Sequence, residues 1–502
     1  MLLRRIARAD GKKAEQLSKI KRNIMYNLAY QILVLIIPII TTPYISRVLG
    51  VKGVGAYSYV SSVEYYFFIF ITLGLTNYGN RSIAKCADNK TERSRTFWSI
   101  YFMQFLCGIC VIVIYVLFAS IFSDSNYRKY FFIYTLHVLS AILDINWFYF
   151  GIEEFRFTTI RNAIVKFATF LCVLIFVRGK YALTAYFVVV AGSAFISNLL
   201  LWFRIPRYVN QYKPTIQESL IHLKPNCLLF IPIIAMSVYR VMDKIMIKQL
   251  SGVVENGYYE NADRIITISL TAFSAIATVM MPAISGMVAK RNDVAVRQML
   301  RDMLQVVNWL SIAMVLGLMA IARQFAPLFF GNDFAKSGIL LIGLAPTIFL
   351  SGWKNVLRSQ YLIPYEKDRA YVASLIVGAC CNVGANLIFI PRYGAKGAVI
   401  GTLIAEFAGW VIQTYIVGKD IDIRVFFKDF IIFIPAGLIM GFCALKLIHL
   451  LPDNLFSTVV VICISAIFYI GFSVLTLYFV DRTRLERVIM SVNKKAQGRK
   501  KK

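Results

Sequence analysis

Residues 55 to 80 read GAYSYVSSVEYYFFIFITLGLTNYGN, and residues 81 to 95 continue with RSIAKCADNKTERSR. The first stretch is long and apolar enough to cross a membrane as a helix, because about 20 apolar residues span roughly 30 Å of hydrocarbon. The second stretch carries five basic residues and two acids. Short loops rich in Lys and Arg are retained on the cytoplasmic side, so the two stretches together predict a helix that ends in the cytoplasm.

Long apolar runs of this kind recur along the whole chain. The 502 residues are 58% hydrophobic and 16% charged, and the mean hydropathy of +0.65 is well above that of a soluble domain. Strands of a membrane barrel would be about half as long and would alternate in polarity. The sequence therefore predicts an all-α polytopic membrane protein with about 14 transmembrane helices, at residues 26 to 46, 55 to 80, 96 to 121, 129 to 151, 159 to 178, 181 to 203, 226 to 250, 262 to 289, 303 to 325, 335 to 355, 370 to 391, 395 to 417, 427 to 449 and 457 to 480.

Basic residues are concentrated on one side of this predicted bundle. The N-terminal tail and the gaps after helices 2, 6, 8, 10 and 12 are rich in Lys and Arg, whereas the gaps after helices 1, 3, 5, 7, 9, 11 and 13 hold two or fewer each. This bias predicts that both termini face the cytoplasm. This bias, together with the attraction of the basic tails to anionic membrane lipid, accounts for much of the net charge of +29. The charge therefore does not indicate a nucleic-acid partner.

Several function classes lack their sequence signatures. The chain contains no GxxxxGK[ST] loop for nucleotide phosphates, and its three His residues have no metal-ligand spacing. Eight of the nine Cys residues fall inside predicted helices, which argues against a disulfide framework. Cys107 and Cys110 form a CxxC, but within an apolar helix this spacing more often fills one face than binds a metal. We therefore predict no catalytic residue, no metal site and no cofactor.

An internal repeat divides the predicted helices into two sets. At a constant offset of 213 residues, Glu153 and Arg156 recur as Glu366 and Arg369. Six helices per repeat is an even number, so the two copies would enter the membrane in the same direction, in a pseudo-twofold parallel arrangement. The predicted segments are a basic N-terminal tail at 1 to 22, an N-lobe at 23 to 210, a cytoplasmic linker at 211 to 225, a C-lobe at 226 to 418, a C-terminal helix pair at 427 to 480 and a basic tail at 481 to 502.

Charged residues inside the predicted helices are candidate functional residues. Such a residue costs about 2.5 to 3.5 kcal/mol at the centre of a helix, so we expect it to face a partner or a water-filled space such as a cavity between the lobes. An excess of cations near the outer side suits an anionic substrate. The candidate substrate-binding residues are Arg240, Lys244, Arg47, Glu64, Asp243, Asp263 and Arg264.

Other interpretations of this outer cluster stay open. The charges would neutralise one another in a structural cluster if Asp243 paired with Lys244 or Arg264 and Asp263 paired with Arg240. Lys244, Lys248 and Arg264 are also long enough to extend to the membrane surface. Basic residues at helix ends either line a cavity mouth or bind lipid head groups, and this applies to Arg47, Arg81, Lys354 and Arg358.

Three further ionisable residues lie deep in predicted helices. Glu406, near the middle of helix 12, is the most isolated acid. It is either a coupling site for H⁺ or Na⁺ or a neutral carboxylic acid bonded to a neighbouring helix. Asp144 in helix 4 and Lys166 in helix 5 lie at similar depth, and we predict that they form a structural ion pair.

Several segments together resemble the bacterial polysaccharide-biosynthesis flippases, the Wzx-type transporters of O-antigen and capsule repeat units. In the first half these are residues 43 to 50, PYISRVLG, residues 53 to 59, GVGAYSY, and residues 74 to 84, GLTNYGNRSIA. In the second half, DKIMI at 243 to 247 and NGYY at 256 to 259 are similar to the family's seventh helix and its loop. The turn IPRYGAKGA at 390 to 398, followed by Gly401, Thr402 and Glu406, resembles the family's turn between helices 11 and 12.

This resemblance implies the multidrug/oligosaccharidyl-lipid/polysaccharide (MOP) exporter superfamily and a V-shaped, two-lobed bundle that works by alternating access. The implied cargo is an undecaprenyl-pyrophosphate-linked oligosaccharide, moved to the outer leaflet of the bacterial inner or plasma membrane. The implied partners are this lipid-linked oligosaccharide, membrane lipid, and the polysaccharide polymerase with its chain-length machinery. Transport would draw on the membrane potential or on H⁺ or Na⁺, since each charge moved gains about 2.3 kcal/mol per 100 mV.

Two alternative functions remain. One is a cation-coupled multidrug exporter of the same superfamily, which the cationic excess in the outer cluster disfavours. The other is a membrane-bound polysaccharide polymerase or glycosyltransferase, which would ordinarily need a sizeable outer loop. The outer gaps of this chain are short.

Overall fold

The computed structural model describes the chain from residue 2 to residue 480, and it describes side chains from residue 33 onward except at 239, 275, 276, 278, 279, 282, 424 to 426, 428, 429 and 480. Within this part of the chain every regular element is helical, with no strand. The predicted all-α class is confirmed. The predicted basic tail at 481 to 502 lies outside the described residues.

Eighteen α-helices follow one another along residues 2 to 480, joined by short turns that include two π-helical and two 3₁₀ segments. Their bounds are α1 Leu2–Thr72, α2 Leu75–Lys85, α3 Lys90–Leu117, α4 Arg128–Ile142, α5 Asn146–Gly151, α6 Phe155–Phe176, α7 Ala182–Trp202, α8 Ile205–Tyr208, α9 Ile216–Leu220, α10 Leu223–Ser251, α11 Val253–Ala289, α12 Asp293–Phe330, α13 Ala335–Leu344, α14 Pro346–Leu357, α15 Asp368–Tyr393, α16 Ala395–Gly418, α17 Arg424–Leu450 and α18 Leu455–Val480.

Each of the fourteen predicted apolar runs falls on one or two of these helices. Among the described residues, eleven helical segments are long and apolar enough to cross a membrane, or twelve if the bent pair Asn332–Leu344 and Pro346–Leu362 counts as one span. Most of the first predicted run and the whole of the second lie within one such segment, Leu33–Lys85, which changes direction at Gly50 (φ 64°, ψ 177°). The count of fourteen therefore stays a prediction.

Turns with left-handed backbone recur at corresponding places in the two halves of the sequence. Glu153 (φ 59°) and Glu366 (φ 55°) follow the fourth and the tenth predicted helices, at the 213-residue offset of the sequence repeat. A residue other than glycine costs about 1 to 3 kcal/mol in such a conformation, so it persists only where the surrounding structure imposes it. Glycines with a positive φ occupy corresponding positions at two further pairs of turns. Gly50 and Gly252 follow the first and seventh predicted helices, and Gly179 and Gly394 follow the fifth and eleventh.

The chain forms two compact units, Met1–Ile245 and Met246–Lys502. The boundary lies inside α10, because the first part of this helix packs on the first unit. Phe230 joins Ile69 and Leu73 in a buried cluster, and Gly74 approaches the Asn226 carbonyl so closely that a Cβ atom there would lie 2.7 Å from it. The predicted lobes at 23 to 210 and 226 to 418 stay a prediction.

Aromatic side chains fill the interior of the first unit. One buried cluster surrounds Phe131, Tyr134 and Phe187, and a second surrounds Phe97, Trp147 and Phe148. Helices in lipid gain little from hydrophobic burial, so close packing and hydrogen bonds must hold them together. The Tyr115 hydroxyl accordingly donates to the Phe131 carbonyl at 2.8 Å.

The C-terminal helix pair α17 and α18 packs on α12 within the second unit. The Tyr469 hydroxyl donates to the Trp309 carbonyl at 2.7 Å, and the Trp309 indole donates to Ser473 Oγ at 3.1 Å. Each of these bonds uses a polar atom that would be costly to leave unpaired in hydrocarbon. The pair is thus an integral part of this unit.

Candidate functional site

An acid and a histidine from different helices form a pair in the interior of the first unit. Glu64, on α1, is 2% exposed, and its Oε1 atom lies 2.8 Å from Nδ1 of His137 on α4. The side chain of His137 is 23% exposed. Tyr134 stacks on the imidazole at 5.2 Å with the rings 10° from parallel, and Phe68 lies 5.7 Å away. These contacts fix the ring so that one nitrogen faces the carboxylate.

Sequence analysis proposed Glu64 as a substrate-binding residue and assigned no role to His137. The two residues are 73 positions apart, so no local spacing signals their contact. Imidazole side chains exchange protons near neutral pH. The imidazole can serve the carboxylate either as a neutral hydrogen-bond donor or as a cation, so this contact can carry different net charges.

A hydrogen bond links the tyrosine that stacks on His137 to the segment that follows the first predicted outer turn. The Tyr134 hydroxyl donates to the Tyr57 hydroxyl at 3.1 Å. Tyr57 belongs to the GVGAYSY segment and packs on Tyr186 with ring centres 4.5 Å apart. The segment that carries the family resemblance thus supports the ring that stacks on His137.

Arg240, the main candidate for a substrate contact, is exposed on α10. It lies close enough to Tyr65 to interact electrostatically with that hydroxyl, and Tyr65 is itself 40% exposed. Among the described side chains, none pairs with the Arg240 guanidinium. An exposed guanidinium beside a tyrosine ring can bind a phosphate group while the ring packs on a sugar.

The other candidates on α10 and α1 differ in exposure. Asp243 is 3% exposed and lies near Tyr66, whereas Lys244 and Lys248 are half-buried. Arg47 is exposed near the end of the first part of α1. The charged residues of α10 therefore range from the exposed cation Arg240 to the buried acid Asp243.

Asp263 and Arg264 lie on α11 in the second unit, where both are half-buried. Arg264 Nη2 lies 2.9 Å from Oε1 of Glu260, one turn earlier on the same helix. Glu260 was not among the residues selected from the sequence. Pairing at this i, i+4 spacing partly neutralises Arg264, which makes it a weaker candidate for binding an anion.

Glu406 is not the isolated acid expected from the sequence. Its Oε2 atom lies 2.8 Å from Nζ of Lys354 on α14 and accepts a hydrogen bond from Ser351 Oγ at 2.5 Å. The two charged side chains are only 6% and 13% exposed. The expectation that Lys354 lines a cavity mouth or binds a lipid head group is wrong. Its long alkyl chain places the ammonium against Glu406, away from the exposed surface.

The predicted ion pair between Asp144 and Lys166 is also wrong. Asp144 instead accepts hydrogen bonds from the backbone N–H and the side-chain amide of Asn146, at 3.0 and 2.6 Å. The side-chain oxygen of Asn146 accepts a hydrogen bond from Arg161 at 2.9 Å. Arg161 also donates to the Ser197 carbonyl at 3.1 Å. Sequence analysis missed Arg161, which is 6% exposed, since its helix position alone does not reveal its partners.

The IPRYGAKGA turn joins α15 to α16 around a half-buried carboxylate. Glu255 accepts a hydrogen bond from the Ala395 backbone N–H at 3.0 Å and pairs with Lys336. A carboxylate at a helix N-terminus is stabilised by the unpaired N–H groups and the helix dipole. Gly394 (φ 60°) has no room for a side chain, because a Cβ atom would lie 2.7 Å from Glu255 Oε2.

At the opposite end of α16, Asp420 contacts two residues of the segment between α14 and α15. It accepts a hydrogen bond from the Tyr361 hydroxyl at 2.9 Å and pairs with Lys367. The Lys367 ammonium, with help from the Tyr361 hydroxyl, holds the pKa of Asp420 below its ordinary range. Among the described residues, no three His, Cys, Asp or Glu side chains are placed to hold a metal ion.

Comparisons with known proteins identify the family of this chain. Residues 20 to 288 match the family model described as "Polysaccharide biosynthesis protein". The chain is 20% identical to the "Putative O-antigen transporter" of Escherichia coli (strain K12) over 395 residues, which cover 77% of this chain and 94% of that protein.

Solved structures share the fold. "Lipid II flippase MurJ, inward closed conformation" superposes with a TM-score of 0.75 at 16% identity, over 91% of this chain and 99% of that one. A "multidrug resistance MATE family transporter of the MOP superfamily" in an inward-facing conformation gives a TM-score of 0.60 at 16% identity, over 81% and 96%. At these identities the likeness shows the fold alone.

Proposed function

The chain belongs to the polysaccharide biosynthesis protein family, and we propose that it is a flippase for undecaprenyl-pyrophosphate-linked oligosaccharide repeat units. It would move them by alternating access across the bacterial inner or plasma membrane for the synthesis of O-antigen, capsule or a similar surface polysaccharide. The observation that carries this proposal is the match to a protein described as an O-antigen transporter over 94% of that protein's length. The fold shared with a lipid II flippase is consistent with it.

The exposed Arg240 supports the choice of an anionic cargo. A pyrophosphate needs cationic partners, and guanidinium groups bind phosphate oxygens through paired hydrogen bonds. Tyr65 beside it offers an aromatic face for a sugar. We propose Arg240 as the principal phosphate contact, with Arg47 and Lys244 as further cations on the path, while the lipid tail remains in the bilayer.

We propose that proton movement through the Glu64–His137 pair drives or gates the cycle. Glu64 is buried, and the half-buried His137 can face it either as a neutral hydrogen-bond donor or as a cation. Glu406 is the alternative coupling site, for H⁺ or Na⁺, although Lys354 already supplies it with a counter-charge. The membrane potential would favour outward movement of the negative cargo, so ATP is not required.

The topology and partners that accompany this function are also proposals. The Lys and Arg bias places both termini in the cytoplasm, where lipid-linked repeat units are assembled. The polysaccharide polymerase and its chain-length machinery would receive the cargo on the outer side. No chemical step is assigned to this chain.

A cation-coupled multidrug exporter is the second candidate, because a MATE transporter shares the fold with a TM-score of 0.60. An exporter of cationic drugs would be expected to present acids rather than an exposed guanidinium on its substrate path. Drug efflux by the purified protein, without transfer of lipid-linked sugar, would favour this candidate.

The direct test is genetic. The chromosomal gene is deleted and replaced by the unaltered protein, by Arg240→Ala, or by Arg178→Ala as a control. Arg178 is an exposed arginine of the same unit that caps its own helix through the Leu174 carbonyl at 2.8 Å. The leaflet that holds the lipid-linked repeat unit is then determined by access to a membrane-impermeant sugar reagent.

Accumulation in the inner leaflet, relieved by the unaltered protein and by Arg178→Ala but not by Arg240→Ala, would support both the flippase and the role of Arg240. Relief by all three proteins would support flipping and remove Arg240 from the path. If the deletion causes no accumulation, the flippase proposal is wrong.

A further inference from the structure

A groove runs along the first unit between α6 and α7. It consists of two cavities, of about 820 Å³ and about 670 Å³, which meet at Ile164, Val165 and Leu200. The larger cavity extends to Phe176 and Tyr181 at one end of the helix pair. The smaller one extends to Glu154 and Arg204 at the other end. The groove therefore follows the two helices over nearly their whole length.

Small residues create the space in the larger cavity. Ala168, Ala185, Gly192 and Ser193 line it together with branched and aromatic side chains. A Cβ atom added to Gly192 would meet no heavy atom within 4 Å, so the space above this glycine is open. The only polar side-chain atoms in this cavity are hydroxyl and thiol groups, which suits a hydrocarbon chain.

The smaller cavity has a different chemistry. Arg156, Arg161 and Arg204 line it with a single acid, Glu154. Arg161 is held in place by Asn146 and the Ser197 carbonyl, and the Arg204 guanidinium lies over the Phe157 ring at 4.3 Å. Arg156 and Arg204 are exposed. The excess of guanidinium groups makes this end complementary to a phosphate or pyrophosphate.

We propose that this groove is a binding site for a polyisoprenyl phosphate or pyrophosphate lipid. The isoprenoid chain lies between α6 and α7, and the phosphates contact Arg156 and Arg204 at the mouth. This inference rests on the proposed function and deepens it, since it names a place on the outside of one unit where the lipid carrier is held. The charge pattern assigns the arginine end to the cytoplasmic side, where a lipid-linked repeat unit would arrive.

The length of the groove favours this occupant over an ordinary phospholipid. Helix α6 has 22 residues, which is roughly 33 Å at 1.5 Å per residue. A phospholipid acyl chain stays within one leaflet, about 15 Å or half of the roughly 30 Å hydrocarbon layer. Only a longer chain, such as a polyisoprenoid, can follow the groove from the arginine mouth to Phe176 and Tyr181.

Binding of undecaprenyl pyrophosphate to the purified full-length protein in phosphatidylcholine nanodiscs tests the inference. Gly192→Trp fills the groove, and the double variant Arg156→Ala/Arg204→Ala removes the exposed cations of the mouth. Gly384→Trp is the matched control, because Gly384 is an exposed helical glycine of the second unit and also has open space around it. Thermal unfolding of each variant is measured, and Gly192→Leu replaces the tryptophan variant if that one does not fold.

The expected result is a dissociation constant raised about tenfold or more by the groove and mouth variants and unchanged by Gly384→Trp, as expected for the loss of charge-assisted contacts and buried chain. Farnesyl pyrophosphate, whose chain is short, would bind more weakly than undecaprenyl pyrophosphate, and phosphatidylglycerol would compete poorly.

Three outcomes would overturn the inference. Equal binding by Gly192→Trp and the unaltered protein would place the lipid elsewhere. Equal affinity for farnesyl pyrophosphate would show that the groove length is not used, and effective competition by phosphatidylglycerol would identify a phospholipid site. If the unaltered protein still moves lipid-linked sugar between leaflets in any of these cases, the proposed function stands. If it neither binds the probe nor moves the sugar, both fail.

Discussion

Two acid pairs, one in each compact unit, join different helices and differ in the partner of the acid. In the first unit Glu64 lies 2.8 Å from the imidazole of His137. In the second unit Glu406 lies 2.8 Å from the ammonium of Lys354. An imidazole can face a carboxylate either as a neutral hydrogen-bond donor or as a cation, whereas a lysine ammonium faces it as a full charge. The first pair therefore suits a proton-dependent switch, and the second holds two helices together.

The surroundings of the two pairs agree with this difference. The His137 side chain is 23% exposed, and its ring stacks on Tyr134, so the imidazole is only partly shielded. The Lys354 side chain is 13% exposed, and a serine satisfies the same carboxylate oxygen. A closed, fully satisfied pair is stable but has little opportunity to change its charge.

The largest expected effect comes from Lys354→Met. Removing one partner of a buried ion pair leaves an uncompensated charge and typically costs about 3 to 5 kcal/mol in the free energy of unfolding. The double variant Lys354→Met/Glu406→Met should recover most of that loss, because it removes both charges. Unfolding of the purified protein in mixed micelles by titration with a denaturing detergent measures both. A loss below about 1 kcal/mol for the single variant would contradict the structural role of this pair.

The outer turns of the two units provide a second contrast. Gly179 (φ 64°) and Gly394 (φ 60°) hold left-handed conformations at corresponding turns, but only Gly394 lies against a carboxylate. Gly179→Ala should cost about 1 kcal/mol from backbone strain alone, whereas Gly394→Ala should cost up to about 3 kcal/mol. The same detergent titration compares them. Equal losses of stability in the two variants would show that Glu255 moves away from the added methyl group and does not restrict this turn.

Substituting the first pair should affect transport more than stability. Glu64→Gln keeps a hydrogen-bonding group of the same shape, so the stability should change by about 1 kcal/mol or less. If a proton on this pair gates the cycle, transport by the unaltered protein should change with pH, and this dependence should be lost in Glu64→Gln. Transport is measured in proteoliposomes buffered at a series of pH values.

The control for this experiment comes from the second unit. Ser351→Ala removes a hydrogen bond to Glu406 while leaving its counter-charge, and it should leave the shape of the pH profile unchanged. A flat profile for the unaltered protein, or a pH dependence retained in Glu64→Gln, would remove the proposed switch.

Sequence analysis predicted the helices well because apolar runs of sufficient length have few alternatives in a membrane. The 213-residue repeat also marked Glu153 and Glu366, whose shared left-handed backbone appears only in the structure. Partners of buried charges were not predictable. Glu64 and His137 are 73 residues apart, and the long stem of Lys354 takes its charge away from the position suggested by its place in the helix.

The incorrect pairing of Asp144 with Lys166 has a similar cause. Depth along a helix can be estimated from the sequence, but rotation about the helix axis cannot be fixed without knowing the neighbours. Asp144 faces Asn146, and through it Arg161. Asn146 and Arg161 lie within one or two helical turns of Asp144 and Lys166 in the sequence. Which of these side chains face one another depends on how the helices pack, which the sequence does not give.

The smallest expected effect concerns two exposed pairs, Asp420 with Lys367 and Glu218 with Arg95. The lowered pKa of Asp420 means that its pairing with Lys367 stabilises the protein above the ordinary Asp range, near pH 4, and that this contribution is lost as the pH falls through the lowered pKa. Asp420→Asn should cost less than about 1 kcal/mol at pH 7, and the difference should shrink in high salt. Arg95→Gln breaks the pair with Glu218 in the first unit, and it should cause a similarly small loss of stability that also shrinks in high salt. A much larger or salt-independent loss for either would show that the pair is more than a surface contact.

Reconstitution into sealed liposomes that contain a lipid-linked oligosaccharide tests the central claim most directly. A glycosidase added outside can digest only the sugars exposed on the outer leaflet. If the chain is a flippase, the purified protein will bring the inner-leaflet pool outward and nearly all of the sugar will be digested. Digestion that stops at the outer-leaflet fraction, as in liposomes without protein, would contradict the account.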